Sequence, residues 1–111
     1  MNLYDDCIEM EDHFLDKFPF WDDPKTFCLF FYILHHTKLS EVGDPTIDIG
    51  ECLLFGPPPG FNDHSYAVAK RELKYSGQVT FKKSILGTIA KLVNLKKVSD
   101  DGVHYKWRIS L

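Results

Sequence analysis

The sequence predicts a single domain of mixed α+β type. Three patterns carry that expectation. Apolar residues recur at helical spacing at Phe27, Phe30, Phe31 and Leu34. Near the C-terminus, Val103, Tyr105, Trp107, Ile109 and Leu111 alternate strictly with His104, Lys106, Arg108 and Ser110, as a half-buried strand requires. Turn-forming clusters at residues 56–60, 76–77 and 100–102 cut the chain into short pieces. A chain of 111 residues, 44% hydrophobic and 14% aromatic, supplies one core.

The elements follow in order. Residues 2–18 place Leu3, Cys7, Phe14 or Leu15, and Phe18 on one stripe, with Asp5, Asp6, Glu9, Asp12 and Asp16 mostly elsewhere. An acidic amphipathic helix is expected there, its early carboxylates suiting the positive end of the helix dipole. The linker FPFWDDP closes a segment, 1–23, that precedes the core at 24–111. Asp23 and Pro24 form an N-cap and first-turn pair for a helix over 24–38, apolar nearly all round. Residues 46–55 read as a strand interrupted by Gly50, and GPPPG at 56–60 as a rigid loop.

Asn62 or Asp63 caps a third helix, 63–75, which ends at Ser76-Gly77. QVTFKKS and GTIAKLV read as two strands around Ile85-Leu86-Gly87. LKKVS and VHYKWRISL then flank Asp100-Asp101-Gly102 as a C-terminal β-hairpin. This order is close to that of a winged helix-turn-helix with an acidic N-terminal helical extension. A second register stays open, in which ILGTIAKLVNLKKV is the recognition helix and DDGVHYKWRISL the wing. Gly87 and the β-branched Thr88, Ile89 and Val93 weigh against it.

Charge is divided at the middle of the chain. Residues 1–63 hold thirteen acidic and three basic side chains, a net of −10, whereas residues 64–111 hold ten basic and three acidic, a net of +7. A basic half behind an acidic half points to a polyanion partner, and nucleic acid is the obvious one. On a helical wheel, Tyr66, Ala69 and Leu73 form the core side of helix 63–75. His64, Ala67, Val68, Arg71, Lys74 and Tyr75 collect opposite. Arg71 suits bidentate contact with guanine, Lys74 suits phosphate, and Ala67 and Val68 let the backbone approach and could touch a thymine methyl. Lys82 and Lys83 would hold phosphates from the wing, with Lys91 on its return strand.

The run YAVAKRELKYSGQVTFKKSILGTIAKL resembles phage and prophage winged-helix proteins of replication-initiator or regulator type. The resemblance is carried by Tyr66, Ala69, Lys70, Leu73, Gly77, Thr80, Phe81, Lys82, Gly87, Thr88, Ile89 and Ala90, with Gly50-Glu51-Cys52-Leu53 upstream. It covers residues 50–93, about two fifths of the chain. It implies double-stranded DNA as partner and a role in replication initiation or transcriptional regulation, in the host cytoplasm if the protein is phage-encoded. Those relatives place a short helix between strand and recognition helix, where this chain has GPPPGFND.

Other chemistry finds little support. Cys7, Cys28 and Cys52 are widely spaced, with no zinc or disulfide pattern. Cys28 and Cys52, within apolar runs, read as small hydrophobes. Adjacent His35 and His36 diverge by about 100° on a helix and suit its C-terminal dipole better than a shared metal. No nucleophile or phosphate-loop motif occurs, so neither catalysis nor a cofactor is expected. The longest apolar run, Phe27–Leu34, has eight residues, too few to span a bilayer. No secretory pattern opens the chain, which reads as cytoplasmic. The competing use is a phage-encoded interaction module or inhibitor of a host system, acting through the acidic half or the C-terminal strand. Phe18, Phe20 and Trp21 read as core aromatics, though Phe and Trp would also serve as interface anchors. A homodimer paired through Val103–Leu111 as an edge strand would fit either use.

Overall fold

The computed structural model describes residues 8–18 and 23–110. In chain order these form β1 (Ile8–Met10), α1 (Phe14–Lys17), α2 (Pro24–His36), β2 (Glu51–Leu54), α3 (Asp63–Ser76), β3 (Val79–Ser84), β4 (Gly87–Leu92), β5 (Leu95–Val98) and β6 (Lys106–Ile109). The architecture is mixed α+β. Strands β2, β4 and β3 make an antiparallel sheet in that order. A second sheet runs β1-β6-β5, with β6 parallel to β1 and antiparallel to β5. Among the described residues, no helix is long and apolar enough to cross a membrane.

Local chemistry sets the two long helices. Asp23 caps α2 by accepting from the Thr26 backbone N–H at 3.3 Å, and Pro24 occupies the first turn, where its missing N–H costs nothing. Leu29, Phe30, Ile33 and Leu34 then bury one side of α2. Helix α3 opens with a reciprocal cap: Ser65 N–H donates to Asn62 Oδ1 at 2.7 Å, and Asn62 N–H donates to Ser65 Oγ at 3.0 Å. It closes at Gly77, whose φ of +82° is the left-handed conformation that glycine adopts without a steric penalty. Tyr66, Ala69 and Leu73 are its buried residues, the arc read from the sequence.

The core lies between these helices and one face of the first sheet. Strand side chains alternate, and antiparallel partners share a face. The pairings Val79↔Leu92, Phe81↔Ala90 and Cys52↔Ala90 therefore put Val79, Phe81, Ala90, Leu92, Cys52 and Leu54 on the side facing α2 and α3. Each Leu, Ile or Phe fully buried there stabilises the fold by about 1.5–3 kcal/mol. Ile109 of β6 closes the core from the second sheet, Phe14 stacks against Phe30, and Phe18 packs on Phe30 at a tilt. The buried Thr26 hydroxyl donates to Glu72 Oε2 at 2.6 Å, tying α2 to α3 by a partly buried polar contact.

Several expectations are corrected. Over residues 8–18 the acidic helix is reduced to the single turn of α1: β1 is extended, and His13 at φ +63° stands where no right-handed helix can continue. Residues 2–7 of that expected helix lie outside the described residues, as do residues 19–22 of the linker, so Phe20 and Trp21 are not placed. The strand expected over 46–55 is limited to Glu51–Leu54, because Asp44 and Glu51 hold Thr46 and Asp48 in a turn. Cys28 is exposed, sitting about 200° around α2 from Phe30. Cys52 is buried, and burial pushes its thiol up to about 11, the behaviour of a packed hydrophobe.

The C-terminal strand is shorter than its alternation suggests. It spans only Lys106–Ile109, because its partner β5 ends at the Val98↔Lys106 pair. Residues 99–104 instead wrap around Asp101, leaving Val103 72% and Tyr105 48% exposed. Strand β6 is also the middle strand of its sheet, flanked on both sides, so it offers no free edge for a homodimer. The helical register for residues 85–98 is replaced by β4 and β5. Residues 37–62 hold no helix: β2 and the proline-rich loop fill that interval.

Candidate nucleic-acid interface

Helix α3 and the β3–β4 hairpin follow one another directly, and α3 packs on β3. With its core arc turned inward, α3 leaves His64, Ala67, Arg71, Lys74 and Tyr75 exposed and Val68 half-buried. These six positions span an arc of about 120° on the helix surface. Tyr75 is 94% exposed, so its ring projects into solvent beside Lys74. The flanks of the arc are engaged elsewhere. Lys70 Nζ lies 4.2 Å from the Tyr66 ring centroid, and Glu72 is turned away to the Thr26 hydroxyl.

The hairpin divides the two lysines assigned to it. Successive residues on a strand face opposite ways. Lys83 pairs with Thr88, on the face shared with Phe81 and Ala90 where α3 packs. Lys82 pairs with Ile89, which in turn lies opposite Leu53, on the outer face. Lys91 is also on that outer face, opposite Thr80 and Glu51. The structure thus gathers His64, Ala67, Arg71, Lys74 and Tyr75 on one helix and sets Lys83 on the same side of the hairpin. Lys82 is not brought to them.

Electrostatics favour the α3 side. Residues 63–92 carry six basic and two acidic side chains. One of the acids is Glu72, already committed to Thr26. Among the described residues, the ion pairs use none of Arg71, Lys74, Lys82 or Lys83. The cations of β6 are different. Glu9 lies 2.7 Å from Lys106 Nζ and 3.1 Å from Arg108 Nη2, and Asp100 lies 3.6 Å from Lys106. A single acidic side chain of β1 thereby covers two basic ones of β6, whereas Arg71 and Lys74 of α3 stay open to solvent.

An unpaired, exposed guanidinium and ammonium on one helix face can take phosphate oxygens or a base edge. Ala67, exposed on the same face, adds little bulk over the backbone there. Sequence reasoning missed the Glu9–Lys106–Arg108 cluster. Its one local signal was the alternation Ile8-Glu9-Met10 inside a segment that also fitted a helix. The pairing of Lys97 with Trp107 was missed as well; the turn at Asp100-Asp101-Gly102 was its signal. Among the described residues, no three His, Cys, Asp or Glu side chains gather to hold a metal; the His35 and His36 rings stand edge to face at 5.0 Å. Compared with protein-family models, curated proteins and solved structures, the chain matches none.

Proposed function

We propose that the chain is a non-enzymatic DNA-binding protein of phage or mobile-element origin, acting in replication initiation or transcriptional regulation. Helix α3 serves as the recognition helix and the β3–β4 hairpin as the wing of a winged helix. Arg71 reads the major groove, Lys74 and Lys83 hold phosphates, and His64 and Tyr75 border the contact. The observation that supports this most is the open, unneutralised face of α3, where Arg71 and Lys74 stand without the carboxylate partner that Glu9 gives Lys106 and Arg108.

The test is a binding titration of a short labelled duplex at several salt concentrations. Neutralising about five phosphates makes log K fall with log salt at a slope near −4 to −5. Arg71→Glu together with Lys74→Glu abolishes binding. No binding at about 50 mM salt, or affinity flat in salt, overturns the proposal.

One observation favours an interaction module or host inhibitor instead. Ile85 and Leu86 at the hairpin tip are 103% and 53% exposed, beside an apolar hollow formed with Leu53 and Ile89. Charge reversal on α3 would then leave activity intact, and substitution of Ile85 by Asp would remove it.

A further inference from the structure

A second concave site lies away from α3, between loop 39–49 and the β5–β6 hairpin. It encloses about 500 Å3, within the usual range for small-molecule sites. Leu39, Ile49, Tyr105 and Trp107 give it apolar walls, and Glu41 and Lys97 supply charge. None of its lining residues belongs to α3 or to the β3–β4 hairpin.

The register of the second sheet explains the arrangement. Lys97 stands directly opposite Trp107, so the two side chains share a face. Lys97 Nζ lies 5.6 Å from the Tyr105 ring centroid and 5.8 Å from that of Trp107. Among the described residues it has no carboxylate partner. The Tyr105 wall is held in place by the preceding loop. Asp101 Oδ1 accepts the backbone N–H groups of Val103 and His104, each at 2.8 Å, and the Ser99 hydroxyl at 3.1 Å. The His104 ring is fixed against the same carboxylate, at 2.8 Å from Oδ2. Two partly open aromatic rings, an unneutralised ammonium between them and a scaffold already ordered make a site for a planar anion.

We propose that this cleft is a nucleotide-binding subsite, in which a base stacks on Tyr105 and Trp107 and its phosphate pairs with Lys97. The Glu41 carboxylate is the acceptor for an exocyclic amino group of the base. Free nucleotides and single-stranded nucleic acid share this chemistry. The site is independent of duplex binding by α3.

The full chain is titrated with a fluorescein-labelled mixed-sequence single-stranded oligonucleotide, followed by anisotropy, and with adenosine monophosphate, followed by amide chemical shifts. Tyr105→Ala weakens binding about ten-fold or more, the scale of one lost base–aromatic stack, and Lys97→Ala weakens it several-fold through the lost phosphate pair. Loss of both probes in these variants identifies free nucleotide as a ligand. Loss of the oligonucleotide, with adenosine monophosphate not bound by the wild type, identifies a single strand. Should Tyr105→Ala alter the circular dichroism spectrum, the exposed Lys97→Ala decides. Binding of neither probe at about 50 mM salt, or wild-type affinity in the variants, overturns the proposal.

Discussion

Glu9 Oε1 accepts a hydrogen bond from Arg108 Nη2 at 3.1 Å, joining positions 99 apart in sequence. The two residues are register partners in the parallel pair of β1 with β6. The other oxygen of the same carboxylate lies 2.7 Å from Lys106 Nζ. The divided charge of the chain therefore closes on itself at one sheet. Glu9 near the start neutralises Lys106 and Arg108 near the end and leaves Arg71 and Lys74, on α3, uncovered.

This contact makes the docking of β1 sensitive to acid. Donation from Lys106, and then from Arg108, holds the Glu9 carboxyl below its ordinary value of 4.5. A carboxyl depressed by folding stabilises the native state above its unfolded value, and that contribution is lost as pH falls through the folded value. Lys106 is raised by the same contact, so its contribution is present at neutral pH and is lost only in alkali above 10.5. Thermal melts of the wild type should fall as pH drops below about 4.5. Glu9→Gln should start lower at neutral pH and show a shallower acid decline. Identical pH profiles for the two proteins would remove this role from Glu9.

The opposite facings of Lys82 and Lys83 give an internal control for duplex binding. Lys83→Ala should weaken duplex affinity and reduce the magnitude of the salt slope by about one. Lys82→Ala should change both much less, because its side chain leaves the sheet on the side away from α3. Equal effects in the two variants would mean that the hairpin is held by nucleic acid on both faces.

Gly87 begins β4 at φ +153°, and a Cβ placed there would stand 2.3 Å from the Leu54 carbonyl oxygen. The obstacle is backbone of the neighbouring strand, which cannot swing aside as a side chain could. Gly87→Ala should therefore destabilise the protein by more than about 2 kcal/mol, combining overpacking with strain in a conformation that L residues avoid. A urea midpoint shifted to lower concentration with unchanged slope is the expected result. A wild-type midpoint would show that β2 and β4 can separate locally.

Legibility followed the range of the interaction. The core arc of α3, its cap (to Asn62 or Asp63) and its terminal glycine were readable because each depends on neighbours within a turn of helix; the structure makes Asn62 the cap. The hairpin turn at Ile85-Leu86 was readable for the same reason. Alternation misled at Val103 and Tyr105, since it records polarity and not where a partner strand stops. It was overlooked at Ile8–Met10, where three residues suffice for a strand only because β6 lies alongside.

By itself, the sequence determined the two long helices, the hairpin that follows α3, and the helix face on which Arg71, Lys74 and Tyr75 stand. Periodicity, caps and turn residues act over a few positions, so they survive without knowledge of the rest of the fold. Only the tertiary structure decided which cations are neutralised, which face of the hairpin each lysine takes, and that Lys97 comes to lie between Tyr105 and Trp107. Those outcomes depend on strand register and on pairing across most of the chain, and local propensity carries no information about either.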